Sequence, residues 1–468
     1  MKLDSAQNIY MIGIKGQGMT GLALILKSRG KNVSGSDTEE KFNTDQVLRQ
    51  ANISFTENFK AANLPKHCDV VIYSSAYTDA NPEMPAAEQA GLPMLSYAEA
   101  LGELTKIQKS IAVAGTHGKT TITAMLAYVL EQAGLAPLAL IGSPVKQFAS
   151  NALTGSGELF VFEADEYQNK FNFFTPWAVV LTSIDWDHTD WFKTPDDYRG
   201  AFTEFLKKVP PDGVVVANYD SAEVKTAMAE AGLKDNQVIS YGLFSGDWQM
   251  LRMWLDQGRW YFSVLKNNEH MGDFELQLVG SHNVANAIAV IALASYLGID
   301  LDVVRRALAD FEGTTRRFEF KGRLNNSAIV IDDYAHHPRE IMATLKAARN
   351  FYPYKNIRVV FHPHTYSRTA ALLKDFAKSF SDADEVVVLD IYASARETKG
   401  DITSQHLVDA IKKHHPKVVL QPTIADAAGY LSNSLTRSDL VITMGAGDVW
   451  RVGDELIKKF GLMTGPEF

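Results

Sequence analysis

The chain has 468 residues, of which 46% are hydrophobic and 22% are charged, a composition typical of globular proteins. One hydrophobic core rarely supports a chain of this length, so we expect three domains. The net charge of -9 argues against a general binding surface for nucleic acid or for an anionic membrane. With a single cysteine, no apolar stretch long enough to span a bilayer and no secretory pattern at the start, we expect a cytoplasmic protein without membrane insertion.

The first segment, predicted as a domain over residues 1–107, begins with a β-α-β pattern. An apolar strand over 9–14 runs into the glycine turn of "GIKGQGMTG", and an amphipathic helix over 19–28 and a strand ending at Ser36 and Asp37 follow. Glycines between a strand and a helix are typical of a turn that binds a nucleotide diphosphate, with the acid after the second strand near the ribose. The pattern is equally compatible with NAD, and a tight turn that binds nothing is the simplest alternative.

The central segment, predicted as a domain over residues 108–317, opens with "IAVAGTHGKTTITAML". Gly115, Gly118, Lys119 and Thr120 lie between an apolar strand and a helix. In this context backbone N–H groups converge on an anion, the lysine neutralises phosphate charge and the threonine hydroxyl suits Mg²⁺. The turn is two residues shorter than the usual signature, so a turn without a ligand is the alternative.

Acidic side chains follow two apolar strands of the central segment. "LFVFEADE" ends in Glu163, Asp165 and Glu166, and "AVVLTSIDWDH" ends in Asp185, Asp187 and His188. Ligands gather at the carboxyl edge of open α/β sheets, where Mg²⁺ usually takes one or two carboxylates. The pattern therefore predicts one or two divalent cations beside the phosphate turn. Loop acids exposed to solvent are the alternative.

The rest of the chain predicts one antiparallel piece and a third α/β domain. "WQMLRMWLDQGRWYFSVL" predicts a hairpin, and "GSHNVANAIAVIALASYLGI" predicts a helix with Ser281 or His282 near its N-cap. The third segment, residues 318–468, alternates strands and helices, which gives three α/β domains in all. An arginine of "TTRRFEF", at the junction, reaches a γ-phosphate only if the domains close, and a surface salt bridge is the alternative. The clusters "DDYAHHP" and "HPHTYSR" suit either a nucleotide ribose or a carboxylate substrate.

Taken in order, the motifs "GIKGQGMTGLA", "VSGSD", "GTHGKTT", "EADE", "DHTD", "HNVANA", "TTRRFEFKG", "DDYAHHP", "PHTYSRT" and "GAGDV" resemble those of the Mur ligase family along essentially the whole chain. The resemblance implies an α/β fold with a Rossmann-like N-terminal domain, a central P-loop ATPase-type domain and a Rossmann-like C-terminal domain that closes over the site. It implies an ATP-dependent, amide-forming ligase of peptidoglycan precursor synthesis, with ATP and Mg²⁺ as cofactors. The most similar branch joins L-alanine to the lactyl carboxylate of UDP-N-acetylmuramate through an acyl phosphate. The nearest alternative attaches a recycled murein tripeptide to the same sugar nucleotide, and we expect a monomer or homodimer.

The resemblance also implies a role for individual residues. The implied catalytic residues are Lys119, His188 and Arg317. The implied ATP-binding residues are Gly115, Thr116, His117, Gly118, Lys119, Thr120, Thr121, Asn283, Asn286, Arg317 and Asp333, and the implied metal ligands are Thr120, Glu163 and His188. The UDP-sugar would contact Gly16, Gly18, Met19, Ser36, Asp37, Ser74 and Ser75, and the amino acid would contact Tyr334, His336 and Arg368.

Three positions depart from the pattern of the family. Lys15 stands where glycine is common, which predicts a positively charged diphosphate turn. "EADEYQNKF" differs from the frequent "EADESDxSF", with Tyr167 where serine is common, which changes the predicted contacts on the side of the sugar. Thr365 stands where arginine is common, which changes the predicted contacts to the amino acid.

Overall fold

The computed structural model describes residues 3–256, 258–393, 397 and 400–463 of the chain. These residues form three β-sheets in chain order, each flanked by helices, which confirms the predicted three-part α/β fold. The domain boundaries at 107/108 and 317/318 stay predictions, although each falls between two sheets. None of the described helices is long and apolar enough to cross a membrane.

The first sheet is parallel throughout. Its strands are β1 (Asn8–Ile12), β2 (Asn32–Ser36), β3 (Ser54–Thr56), β4 (Val70–Tyr73) and β5 (Met94–Ser96), and its helices are α1 (Gln17–Ser28), α2 (Asn43–Gln50), α3 (Glu83–Gln89) and α4 (Tyr97–Ile107). The strand order is β3-β2-β1-β4-β5. Because the chain winds in opposite directions on the two sides of β1, a crevice forms beyond the carboxyl ends of β1 and β4. The glycine turn after β1 lies at this crevice.

The central sheet combines parallel strands with an antiparallel extension. Its strands are β6 (Lys109–Ala114), β7 (Leu138–Val145), β8 (Ser150–Thr154), β9 (Leu159–Glu163), β10 (Ala178–Leu181), β11 (Val214–Asn218), β12 (Val238–Gly242), β13 (Trp248–Asp256), β14 (Arg259–Lys266) and β15 (Glu269–Leu276). Its helices are α5 (Lys119–Gln132), α6 (Pro195–Leu206), α7 (Ala222–Ala231), α8 (Ser281–Tyr296) and α9 (Leu301–Asp310). The order is β15-β14-β13-β12-β11-β10-β6-β9-β7-β8, in which β13 and β14 form the antiparallel hairpin that the alternating sequence predicts and β15 adds a third antiparallel strand.

The strand order of the central sheet determines which strand ends lie next to the turn after β6. β9 and β10 are the two neighbours of β6, and all three strands are parallel. The turn after β6 therefore lies between the two strand ends that carry the acids. The strands around it are fully buried, with β6 residues such as Val113 and Ala114 at 0% exposure, because helices cover both faces of a parallel sheet.

The third sheet has one antiparallel edge strand. Its strands are β16 (Glu319–Arg323), β17 (Ile329–Asp333), β18 (Asn356–Phe361), β19 (Glu385–Val388), β20 (Val418–Leu420) and β21 (Asp439–Met444), in the order β16-β17-β21-β18-β19-β20. Its helices are α10 (Pro338–Phe351), α11 (Tyr366–Ala371), α12 (Leu373–Phe376), α13 (Ser404–Ile411), α14 (Ile424–Ser432) and α15 (Trp450–Phe460). Short 3-10 helices occupy Leu3–Ser5, Ala61–Asn63, Lys146–Phe148, Tyr167–Phe173 and Asp235–Gln237.

The first two sheets pack against each other through α1. The buried Asn151 of β8 donates through Nδ2 to the carbonyl oxygens of Gln17 in α1, at 2.9 Å, and Ile141 in β7, at 3.1 Å. One apolar core runs through both parts, since α1 residues such as Leu22 share a buried cluster with Leu140. The glycine turn and the phosphate turn are therefore parts of one packed body.

Candidate active site

The phosphate turn, residues 115–118, connects β6 to α5. Gly115 has φ +130° and a Cβ there would collide with Thr182, while Gly118 has φ +81° and a Cβ would lie 2.8 Å from Asn286 Oδ1. Both positions therefore require glycine. Gly118 is the N-cap of α5, and no side chain caps its first turn in the described part of the chain. The N–H groups of Thr116 and His117 donate to Ser183, whereas those in the first turn of α5 are available to an anion.

Lys119 is surrounded by acids. Its ammonium lies 3.5 Å from Glu166 Oε2, and it donates to the carbonyl oxygens of Thr116, at 3.3 Å, and Gly115. Burial lowers the pKa of Lys119, but the nearby carboxylates of Glu166, Asp165 and Glu163 raise it above its ordinary value. The lysine is therefore a permanent cation at the start of α5.

Glu163, at the end of β9, is held from two sides. Its carboxylate accepts hydrogen bonds from the backbone N–H of Gly142 and from Thr120 Oγ1, the latter at 3.1 Å. Burial raises the pKa of Glu163, although Gly142, Lys119 and Arg317 oppose the shift. A raised pKa shows that the carboxylate has less positive charge around it than its burial requires, and a bound cation would supply it.

A second group of possible ligands lies on the other side of Lys119. Ligand atoms of Asp165, Glu166 and His188 all lie within 4.8 Å of one another. Glu166 Oε1 accepts from Tyr198 Oη at 2.6 Å, whereas the buried Oε2 has no hydrogen-bond partner among the described residues. Carboxylate oxygens and an imidazole arranged in this way fit a divalent cation.

The three residues implied as metal ligands are thus divided. Thr120 and Glu163 are hydrogen-bonded to each other, while His188 lies beside Asp165 and Glu166. The set of metal ligands that the resemblance implies does not include Asp165 and Glu166. Their shared position after β9 was the only signal in the sequence, and it predicts a shared edge of the sheet but not which acids face the histidine.

A cavity of about 280 Å³ brings these groups together with residues of the third sheet. Its lining includes Thr116, Gly118, Lys119, Thr120, Gly142, Ser143, Glu163, Asp165, Glu166, Asp187, His188, Arg317, Tyr334, His336 and Glu340. Phosphate-binding, acidic and C-terminal groups therefore face one another across a single space.

A second cavity of about 240 Å³ adjoins the first and contains most of the residues implied in nucleotide binding. Its lining includes His117, Gly118, Thr121, Tyr241, His282, Asn283, Asn286, Arg317, Asp333, Ala343 and Thr344. Gly280 is the N-cap of α8, and the candidate cap residues Ser281 and His282 lie in the first turn. Burial raises the pKa of Asp333 to about 6, and the carboxylate accepts from the backbone N–H groups of Phe318 and Ala335 at 2.7 and 2.8 Å.

The adjacent arginines at the junction have different surroundings. Arg316 donates to Asp332 Oδ2 at 2.8 Å and to the carbonyl oxygens of Gly445 and Gly447 at 2.8 and 2.9 Å. Arg317 forms no ion pair with the described residues, and its buried Nε has no hydrogen-bond partner among them. Since Arg317 lines both cavities, it is the arginine that is available to a phosphate.

Ion pairs join the third sheet to the central one around the cavities. His117 Nε2 lies 3.1 Å from Asp185 Oδ2, and its Nδ1 lies 3.0 Å from Glu340 Oε1. Burial lowers the pKa of His117, but the nearby carboxylates of Asp185 and Glu340 outweigh burial and raise the pKa to about 9. Arg339 also pairs with Asp185. The C-terminal part is therefore seated on the phosphate turn.

The three residues implied for the amino acid do not all reach the cavity. Tyr334 and His336 line it, and burial lowers the pKa of His336 to about 3, so its imidazole is neutral at physiological pH. Arg368 is absent from the described lining and pairs with Asp187, with Nε–Oδ1 at 2.9 Å and Nη2–Oδ2 at 3.2 Å. Thr365, found in place of an arginine, caps α11 by accepting from the Arg368 N–H.

The residues implied for the UDP-sugar lie at the carboxyl edge of the first sheet. Gly16 is the N-cap of α1, and Gly18 and Met19 belong to its first turn. The Asp37 carboxylate accepts from the Lys15 N–H at 2.7 Å and from Tyr77 Oη at 3.1 Å. Other residues of the implied set are Ser36, whose buried hydroxyl donates to Glu83, and Ser74 and Ser75, which follow β4.

The predicted positive charge of the diphosphate turn is wrong. The Lys15 side chain is 0% exposed, and its ammonium donates to the carbonyl oxygens of Thr38 and Glu40 at 2.9 and 3.0 Å. It also pairs with Glu57 at 3.0 Å and Asp45 at 3.4 Å. The ammonium is therefore bonded to residues that follow β2 and β3, and it is not available at the turn.

Three family models match successive parts of the chain. The description "Mur ligase family, catalytic domain" matches residues 8–109, "Mur ligase middle domain" matches residues 113–294, and "Mur ligase, glutamate ligase domain" matches residues 316–447. The chain belongs to the Mur ligase family. The resemblance of its motifs to that family is therefore confirmed.

Similar Mur ligases span the same length. A UDP-N-acetylmuramate–L-alanine ligase of Desulfitobacterium hafniense is 39% identical over 96% of this chain and 99% of its own, and one of Caldanaerobacter subterraneus is 38% identical over 98% of both. The crystal structure of UDP-N-acetylmuramate–alanine ligase from Thermotoga maritima has a TM-score of 0.82 at 29% identity, covering 97% of this chain and 99% of that one. A murein peptide ligase of Psychrobacter arcticus, with a TM-score of 0.71 at 24% identity over 98% of this chain and 100% of its own, shares the fold.

Proposed function

We propose that the chain joins L-alanine to the lactyl carboxylate of UDP-N-acetylmuramate at the expense of ATP. One observation carries the proposal: the phosphate turn, the acids and the C-terminal residues face one another across one cavity of about 280 Å³. The full-length relatives bear the name of this activity. The domain boundaries 1–107, 108–317 and 318–468 belong to the same proposal, with sugar nucleotide, ATP and amino acid divided among the three parts.

The first half of the reaction activates the acid. A carboxylate is a poor acylating agent, and transfer of the γ-phosphoryl group of ATP gives an acyl phosphate with a good leaving group. The N–H groups of α5 and the Lys119 ammonium hold the phosphates, and Arg317, which has no ion pair among the described residues, reaches the γ-phosphate. Thr116, His117, Thr121, Asn283, Asn286 and Asp333 complete the nucleotide site.

Mg²⁺ fits the acids around Lys119. Glu166 Oε2 accepts no hydrogen bond from the described residues and has the Lys119 ammonium 3.5 Å away, and burial raises the pKa of Glu163, so both carboxylates can accept a further cation. We assign one ion to Thr120 and Glu163 and another to His188, with Asp165 and Glu166 beside it. When bound, the ions offset the repulsion between the phosphates and the substrate carboxylate.

The second half of the reaction needs a neutral amine close to the acyl phosphate. Tyr334 and the uncharged His336 line the cavity at the place where the third sheet faces Glu166 and His188. Arg368 uses Nε and Nη2 for Asp187 and Nη1 for His364. A guanidinium has five N–H groups, so two of them remain, and Arg368 would have to turn toward the cavity, which it does not line here, to bind the carboxylate of the amino acid.

The sugar nucleotide occupies the crevice beyond β1 and β4. Gly16, Gly18 and Met19 present the N-terminus of α1 to the diphosphate. Asp37, whose carboxylate is oriented by the Lys15 N–H, lies after β2 where a ribose hydroxyl is expected. Ser36, Ser74 and Ser75 complete the edge. Because α1 packs directly on β7 and β8, we expect the lactyl carboxylate to extend toward Lys119.

The test supplies ATP, Mg²⁺ and UDP-N-acetylmuramate and compares two amines, L-alanine and the tripeptide L-alanyl-γ-D-glutamyl-diamino acid. We expect phosphate release and an amide product of the corresponding mass with L-alanine, and much less with the tripeptide. A preference for the tripeptide would move the chain to the recycling branch. Absence of ATP consumption with either amine, in folded protein, would refute ligation.

A further inference from the structure

Tyr167 connects the two motifs that carry the acids and the histidine. It directly follows Glu166 and opens the 3-10 segment Tyr167–Phe173. Its ring stacks on the His188 imidazole, with ring centroids 4.6 Å apart and planes at 28°. Its hydroxyl donates to Asp190 Oδ2 at 2.6 Å. One side chain therefore touches the histidine and is anchored two residues beyond it.

The backbone on both sides is folded to make this contact. His188 has φ +50°, and Gln168 and Asn169, which follow Tyr167, have φ +56° and +57°. Left-handed conformations are unfavourable at non-glycine residues and persist where the surroundings enforce them. The Tyr167–His188 stack and the hydroxyl bond to Asp190 are contacts that hold these two turns against each other.

The same residue also holds a carboxylate of the cluster. The Tyr167 backbone N–H donates to Asp165 Oδ1 at 3.1 Å. Lys170, which pairs with Asp165 Oδ2, places its ammonium 5.5 Å from the centroid of the Tyr167 ring. His188 Nε2 in turn lies 3.8 Å from Glu166 Oε1. Tyr167 therefore contacts both the His188 imidazole and the Asp165 carboxylate and helps to orient each of them.

We propose that Tyr167 is a positioning residue that fixes the His188 imidazole as a ligand for a divalent cation. The inference rests on the metal site of the proposed function, and Tyr167 itself does not bind the ion. The planar ring restricts rotation of the imidazole and keeps Nε2 close to Glu166 Oε1. Groups that orient a histidine ligand typically change metal affinity about 10–100-fold when they are removed. A serine at this position, frequent in the family, has no ring to stack.

The test measures metal binding directly. Mn²⁺ is titrated into the full chain, with and without AMP-PNP, and free Mn²⁺ is followed by EPR. We expect Tyr167→Ser, which keeps the backbone bond to Asp165, to weaken binding about tenfold. Tyr167→Phe keeps the ring and loses only the hydroxyl bond, so we expect less than about a threefold change. If Tyr167→Ser does not fold, Tyr167→Leu, which keeps the bulk without a planar ring, takes its place and should also weaken binding.

The matched control is Trp191→Ser, which removes an exposed aromatic ring 6.3 Å from Tyr167 but not stacked on His188. It should leave Mn²⁺ binding unchanged. In the ligation assay, Tyr167→Ser should require more Mg²⁺ and recover turnover at high Mg²⁺, with an unchanged KM for the sugar nucleotide. Wild-type binding in the ring-deficient variants would overturn the inference, and so would a loss in Tyr167→Phe equal to that in Tyr167→Ser. Failure of the wild type to ligate L-alanine would instead refute the proposed function and leave the Mn²⁺ comparison intact.

Discussion

The chain contains two turns of the same local design, residues 13–16 after β1 and residues 115–118 after β6, and each has a lysine close by. Lys15 is fully buried and bonded to carbonyl oxygens and carboxylates of its own domain. Lys119 lines a cavity and lies 3.5 Å from Glu166. The Lys15 ammonium therefore holds loops of its own domain together, whereas the Lys119 ammonium faces a cavity in which a ligand can bind.

The difference arises from the strands that flank each turn. In the first sheet, the loops after β2 and β3 contain Thr38, Glu40 and Glu57, which cover Lys15. The neighbours of β6 end in Glu163 and, after β10, in Asp187 and His188, and these residues line a cavity instead of filling it. A lysine in a glycine turn is thus not in itself a sign of phosphate binding. The side chains at the adjacent strand ends decide its use.

The largest effect is expected at Lys119. Lys119→Ala removes the cation that balances the phosphates, so kcat should fall by at least about 10²–10³-fold. Because the ammonium lies at a cavity and not in an apolar core, thermal stability and the circular dichroism spectrum should change little. The assay is L-alanine-dependent phosphate release. Ordinary turnover by this variant would contradict the assignment of the second turn as the phosphate site.

Much of this difference lies beyond what the sequence can predict. The β6 turn was predictable because glycines, Lys119 and Thr120 stand at fixed offsets between an apolar strand and a helix. The acid ends of β9 and β10 were predictable as edges of a parallel sheet. The burial of Lys15 depends on loops 23 to 42 residues away, and the Arg368–Asp187 pair spans 181 residues. Contacts of this kind follow from tertiary packing, which local patterns do not specify.

A smaller effect is expected at Lys15, where a substitution should lower the stability of the fold and leave kcat unchanged. Lys15→Met leaves the carbonyl oxygens of Thr38 and Glu40 without this donor and the carboxylate of Asp45 without its cation. Removing one partner from a buried ion pair costs about 3–5 kcal/mol, and we expect the lower end because Lys41 still pairs with Glu57. Urea denaturation should show this loss, while the folded fraction should keep its kcat at saturating substrates.

The matched control for that variant is Lys41→Met. Lys41 pairs with the same Glu57 carboxylate, but its side chain is 67% exposed. An exposed ion pair contributes about 0–1 kcal/mol, so this variant should be nearly as stable as the wild type. Equal losses in the two variants would show that burial of Lys15 is not what separates the two turns. A loss of kcat in Lys15→Met would show that its ammonium also serves the reaction.

The smallest effect is expected at His117, which belongs to the turn 115–118 and has no counterpart in the turn 13–16. His117, between Asp185 and Glu340, has its pKa raised to about 9 from an ordinary 6.5, because the two carboxylates outweigh the effect of burial. A raised pKa means that the charged form stabilises the fold: the contribution is complete below pH 6.5 and is lost as the pH rises through 9. The shift sets an upper bound of about 3 kcal/mol, and the partly exposed imidazole should yield less.

Tm should therefore fall further between pH 7 and pH 10 in the wild type than in His117→Gln. Glu340→Gln, which removes one of the two carboxylate partners, should fall in between. Equal decreases in the wild type and His117→Gln would mean that this imidazole does not carry the charge that joins the third sheet to the phosphate turn.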